Sequence, residues 1–137
     1  MAVRILIADD HERARAAIAD VIDNSGENWC VCSQAADGRS AVDMAVKGKP
    51  DVVILDVRMP YLDGMQAAYE IRANLPGVPI LFYTLLATPR LEAAARAAGF
   101  DGVVAKPDSM ALVAAIRRAL DHDDTGASGP SPNSLTV

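Results

Sequence analysis

The chain has 137 residues, 51% apolar and only 4% aromatic. That is enough for one domain with a core of Val, Ile, Leu and Ala, and it excludes a disordered chain. The net charge is −5, much of it from Asp121, Asp123 and Asp124 near the end, so the near-neutral remainder carries no electrostatic footprint for nucleic acid. No apolar run approaches the length of a membrane span, and the start lacks the layout of a secretory signal, so a soluble cytoplasmic protein is expected.

Short apolar runs alternate with helical patterns. Val3–Ala8 reads as a strand. Ala14, Ala17, Ile18, Val21 and Ile22 then recur at helical spacing from Glu12 to Ile22, and Asn24-Ser25-Gly26 ends that helix. Trp29–Ala35 reads as a second strand, with Cys30 and Cys32 as small half-buried thiols too far apart along it for an ordinary disulfide. Asp37-Gly38 opens a helix that runs to about Val46 and stops at Lys47-Gly48-Lys49-Pro50. Val52–Leu55 is a continuous aliphatic run, as in a strand covered on both faces. A helix follows from Asp63 to Leu75, then a strand over Pro79–Tyr83. Thr88-Pro89 opens the next helix and Gly99 ends it. Gly102–Ala105 is a short fifth strand. Asp108 or Ser109 caps a last helix through Leu112, Val113, Ile116 and Leu120. Beyond it "DHDDTGASGPSPNS" has the composition of a flexible linker. Strand and helix alternating five times predict an α/β fold, a doubly wound, five-stranded parallel sheet with helices on both faces.

Open α/β sheets bind ligands outside the carboxyl ends of their strands. The first strand ends at Asp9-Asp10, the third at Asp56, the fourth at Thr84 and the fifth at Lys106. All five residues are therefore expected at one rim. Clustered carboxylates repel unless a cation lies among them. Hard oxygen ligands suit Mg²⁺, which accompanies phosphoryl chemistry, and a carboxylate can itself be the nucleophile that forms an acyl phosphate. Taken singly, Asp9 or Asp10 would serve as a helix cap and Asp56 as a turn residue. Their coincidence with Thr84 and Lys106 favours a site. His11 reads as a surface residue on the first helical turn, and Asp37, Asp63 and Asp108 as caps.

The pieces "ILIADDH", "PDVVILDVRMPYLDGM", "ILFYT" and "GFDGVVAKP" resemble, in order and spacing, the response-regulator receiver domain of bacterial two-component signalling. The resemblance covers residues 3 to 120. It implies the flavodoxin-like receiver fold, with strand order 2-1-3-4-5 and five helices, in a receiver domain over 1–121. It also implies that Asp56 is the phosphoacceptor for the phosphohistidine of a sensor histidine kinase, and that the chain is not a turnover enzyme. Asp10, Asp56 and the backbone carbonyl of Arg58 would bind Mg²⁺, with Asp9 acting through a water. Thr84 would bond the phosphoryl group, Lys106 would pair with a phosphoryl oxygen, and the Lys106–Pro107 bond would be cis.

Two positions depart from the family pattern. Val103 replaces the aromatic residue that usually switches together with the Thr. Leu85 replaces the usual small residue after the Thr, and is expected to narrow access to Asp56. "RILIADDHERARAAI" and "SQAADGRSAVDMA" resemble the NarL/LuxR-type subfamily. That implies a linker over 122–137 leading to a helix-turn-helix effector beyond "SPNSLTV", with DNA contact through that absent part alone; homodimerisation is a further expectation. Two other readings are a stand-alone receiver acting by protein contact and a small Mg²⁺-dependent phosphatase. The phosphatase type wants an acid two residues after its nucleophile, where Arg58 stands. A flavin-binding module would want a Ser, Thr and Gly-rich loop where this chain has "ADDHERA".

Overall fold

In the computed structural model, which describes residues 1–128 and the side chains as far as residue 121, the aliphatic runs form five strands. These are β1 (Val3–Ala8), β2 (Trp29–Ala35), β3 (Val52–Leu55), β4 (Ile80–Thr84) and β5 (Gly102–Ala105). The helices are α1 (Glu12–Asp23), α2 (Gly38–Gly48), α3 (Gly64–Asn74), α4 (Pro89–Ala97) and α5 (Ser109–Ser128). All four strand pairings are parallel and the order is β2-β1-β3-β4-β5, the order the resemblance implied. The β1–β2 register shifts between Ile5 and Leu6, where Val31 and Ser33 are the successive partners. Cys32 is thus the extra residue of a bulge, and both cysteines are half-buried free thiols.

Strand alternation sends successive side chains to opposite faces. Leu6, Ala8, Val53, Leu55, Ile80 and Phe82 pack with α2 and α3 on one face. Ile5, Ile7, Val52, Ile54 and Leu81 pack with α1 and α5 on the other. Burying each such aliphatic side chain contributes roughly 1.5–3 kcal/mol.

The helix starts follow the expected chemistry. Asp37 accepts from the Ser40 N–H at 2.7 Å, Asp63 from Gln66 at 2.9 Å, Thr88 from Leu91 at 3.1 Å and Asp108 from Ala111 at 3.0 Å. Asp108, rather than Ser109, is therefore the last cap. The last helix differs from expectation in length, because α5 continues past Leu120 to Ser128. Once a helix is nucleated each further residue adds one bond, and no proline intervenes before Pro130. The helix overlaps the expected linker over 122–128, and the linker's part from 129 to 137 lies outside the described residues. Among the described residues no helix is long and apolar enough to cross a membrane.

Candidate functional site at the carboxyl rim of the sheet

Asp9, Asp56 and Thr84 are the buried polar or charged residues of the described chain, and they cap the adjacent strands β1, β3 and β4. Strand pairing fixes their positions. The Asp56 N–H donates to the Ala8 carbonyl at 2.9 Å and the Asp9 N–H to the Ala35 carbonyl at 3.0 Å. Lys106 follows β5, held by its N–H on the Thr84 carbonyl at 2.9 Å. The Lys106–Pro107 bond is cis, as expected.

Lys106 reaches across the rim. Its Nζ donates to Asp56 Oδ2 at 2.9 Å and also to Asp9 Oδ2. One ammonium thus bridges two carboxylates that would otherwise repel. The second oxygens are held by backbone: Asp56 Oδ1 accepts from the Val57 N–H at 2.7 Å and Asp9 Oδ1 from the His11 N–H at 2.9 Å. Burial pushes the Asp56 carboxyl up, but Lys106, the Thr84 hydroxyl and the Val57 N–H outweigh it and hold the group below the usual carboxylate value. Burial likewise pushes Lys106 down, and Asp9 and Asp56 together hold it above the ordinary lysine value. The site therefore keeps both its ammonium and its Asp56 carboxylate charged at neutral pH.

Neither adjacent carboxylate serves as the α1 cap. The N-cap position is His11, whose side chain makes no capping bond. Asp9 is fully buried with both oxygens occupied, whereas the Asp10 side chain is 31% exposed and meets His11 Nδ1 at 3.0 Å. One ligand atom each from Asp9, Asp10 and His11 lies within 4.8 Å of the others. This donor set can hold a metal ion. Arg58 lies exposed two residues past Asp56.

Two positions outside the expected set shape the rim. Arg15 Nη1 donates to the Asp9 carbonyl at 2.8 Å, tying α1 to the end of β1. A Cβ on Gly64 would lie 1.9 Å from the Asp56 carbonyl oxygen, so only glycine lets α3 start this close to β3. The "LDG" segment carries a sequence signal for that glycine. Arg15 carries none, since an arginine on an amphipathic helix reads as solvated.

Thr84 is buried and its Oγ1 accepts from the Leu86 N–H at 3.1 Å. Val103 is half-buried and pairs with Phe82 across the β4–β5 ladder. Leu85 is 78% exposed and lines a groove with Ala17 and Val21 of α1 and with Lys106. A residue leaving a strand end is free of the strand's alternation, so its direction was not fixed by its neighbours.

A family model for the response regulator receiver domain matches residues 5–117. The chain belongs to that family. It is 32% identical over 136 residues to response regulator MprA of Mycobacterium sp. (strain KMS), covering 99% of this chain and 58% of that protein. It is 41% identical over 86 residues to a protein-glutamate methylesterase/protein-glutamine glutaminase of Vibrio cholerae, covering 63% of this chain and 22% of that enzyme. The chain thus spans well under two thirds of either relative's length. The solved structure of a LuxR-family two-component response regulator from Aurantimonas sp. SI85-9A1 superposes with a TM-score of 0.83 at 29% identity, covering 89% of this chain and 87% of that one.

Proposed function

We propose that this receiver is phosphorylated on Asp56 by a sensor histidine kinase, with Mg²⁺ as cofactor, and acts in the cytoplasm. The observation that carries this reading is the coincidence of the buried polar residues Asp9, Asp56 and Thr84 with one rim, bridged by Lys106. A buried aliphatic core has no packing reason to place its polar exceptions together.

In the reaction an Asp56 oxygen attacks the phosphorus of the phosphohistidine. The P–N bond breaks, and the imidazole leaves with the electron pair. Asp10, Asp56 and the Arg58 carbonyl would hold Mg²⁺, with Asp9 acting through a water. The all-oxygen set fits that ion. Bound Mg²⁺ would neutralise charge developing on the phosphoryl oxygens. Lys106, already on Asp56 Oδ2, is placed to pair with one of those oxygens. The Thr84 hydroxyl is placed to exchange its contact with the Leu86 N–H for the phosphoryl group.

The apolar groove of about 440 Å³ lined by Ala17, Val21, Tyr83, Leu85 and Pro107 opens beside Lys106 and suits the apolar face of the incoming kinase. The likeness to a LuxR-family regulator supports output through a C-terminal helix-turn-helix effector that acts on transcription, with DNA contact residing there.

Incubation with acetyl phosphate and Mg²⁺, followed by intact mass, tests the reading. Wild type should gain a single phosphoryl adduct, lost on chelation of Mg²⁺ and absent in Asp56→Ala. An adduct that persists in Asp56→Ala would refute it.

A further inference from the structure

The groove beside Lys106 holds a polar group that the phosphoryl reaction leaves unused. Strand alternation sends Phe82 to the α2–α3 face of the sheet and Tyr83 to the α1–α5 face. Tyr83 is more than nine-tenths buried, at 6% exposed, and lines the groove with Ala17, Ile18, Val21, Leu85 and Pro107. A buried tyrosine hydroxyl ordinarily finds a hydrogen-bond partner. Among the described residues no group bonds this one, and its oxygen is not sealed from solvent, so the phenol opens into the groove. Phenylalanine would fill the same core volume with no hydroxyl to satisfy. Burial pushes the phenol above its ordinary value, Lys106 pulls against that and Asp108 adds to it. The hydroxyl therefore keeps its proton at neutral pH and is a donor without an acceptor.

Size and lining define what fits. The volume of about 440 Å³ lies within the range of small-molecule sites, roughly 300–1,000 Å³, which set a few placed polar groups in mostly apolar walls. The charged residue of the lining is Lys106, and its ammonium is held between Asp9 and Asp56. With Asp108 acting on the phenol as well, carboxylates outnumber the ammonium at this end. The groove thus offers no uncompensated positive charge to an anion. We propose that it binds a small, uncharged, apolar molecule with one carbonyl-type acceptor, which takes the hydrogen bond of the Tyr83 hydroxyl while its body covers Ala17, Val21 and Leu85. The site itself does not depend on phosphorylation. A bound molecule would compete with a kinase docking in the same groove, and that consequence alone rests on the reading above.

The probes are 1-indanone, a neutral bicycle with one carbonyl, indane, the same bicycle without it, and the anion indane-2-carboxylate. Each is titrated into the ¹⁵N-labelled full chain and followed by NMR, with wild type, Tyr83→Phe and Ala17→Leu compared. In wild type 1-indanone should shift the amides of Ala17, Val21 and Leu85, and the carboxylate should bind more weakly than 1-indanone. Tyr83→Phe removes only an unpartnered hydroxyl, so the fold should hold. It should weaken 1-indanone about three- to tenfold, the worth of one neutral hydrogen bond, and leave indane unchanged. Ala17→Leu suits the helix but fills the groove, so it should weaken both. Shifts absent from the groove with every probe would overturn the site, as would 1-indanone bound equally by wild type and Tyr83→Phe. Tighter binding of the carboxylate would overturn the uncharged class. These titrations read binding alone, so the site and the acetyl phosphate adduct on Asp56 succeed or fail separately.

Discussion

The two flanks of the candidate site are built differently. On the β1–β3 flank Asp9 and Asp56 are held through both carboxylate oxygens, and Gly64 brings α3 against the β3 end with no room for a Cβ. On the β4–β5 flank α4 buries only Ala95 fully, Val103 is half-buried and Leu85 stands in solvent. The first flank fixes reacting groups in place. On the second, α4 has few buried side chains resisting movement, as a segment free to shift requires. Under the proposed function, chemistry and readout would be separated within one sheet rim.

The largest test removes the ammonium that spans both flanks. Lys106→Met should cost the metal-free protein about 3–4 kcal/mol, because it leaves Asp9 and Asp56 buried without their counter-charge. Urea unfolding measures that loss, and added Mg²⁺ should restore part of it. The pH dependence should also change sign. In wild type the Asp56 carboxyl is held below its ordinary value of 3.8. Its contribution to stability is therefore present above that value and lost as pH falls through the lower native one. Without Lys106, burial is the dominant remaining influence and raises the carboxyl, so acidification through that range should stabilise the variant. A wild-type acid slope retained in Lys106→Met would show that the Val57 N–H and Thr84 alone hold the charge.

Gly64→Ala tests the rigidity of the first flank. Its Cβ would meet Asp56 backbone atoms at 1.9 and 2.8 Å, so the substitution should cost about 2–3 kcal/mol by forcing α3 off β3. Ala95→Gly on α4, which loses helix propensity and one buried methyl, should cost about 1–2 kcal/mol. Equal losses would erase the contrast between the flanks.

On both flanks the fold was legible in the sequence, because each aliphatic run stops at a charged or hydroxyl residue, and because Asp37, Asp63, Thr88 and Asp108 stand where helix caps belong. Parallel alternation then brings the strand ends together by topology alone. The direction of Leu85, the turn of the His11 ring and the Arg15 bond to the Asp9 carbonyl depend on loop geometry and on neighbours distant in sequence. No periodicity encodes these. The run of α5 to Ser128 was missed because its sequence has a linker's composition, and composition does not stop a helix that has already begun.

A smaller effect is expected in the β3–α3 loop. Tyr61 has φ +69° and is 90% exposed. A bulky residue is strained in that conformation, and glycine adopts it freely. Tyr61→Gly should stabilise the domain by about 0.5–1 kcal/mol, the relieved strain being partly offset by glycine's greater freedom when unfolded. Thermal unfolding checks this, and a loss of stability would mean the ring makes a contact that compensates its backbone.

The finest test concerns Val103. It lines an open cleft of about 290 Å³ with Glu92, Arg96 and Phe100, so a larger side chain has room to turn outward. Val103→Tyr should leave the phosphoryl adduct on Asp56 unchanged and alter stability by less than about 1 kcal/mol. Its effect should appear in hydrogen exchange of α4 and β5 with and without acetyl phosphate. In wild type, Thr84 moving toward a phosphoryl group leaves the Leu86 N–H without its acceptor, so the exchange response should centre on the β4–α4 loop. In Val103→Tyr the response should extend into β5, because a ring beside Phe82 can follow the hydroxyl inward. If the two proteins respond alike, β5 has no share in the readout, and the loop through Leu85 and Leu86 carries it alone.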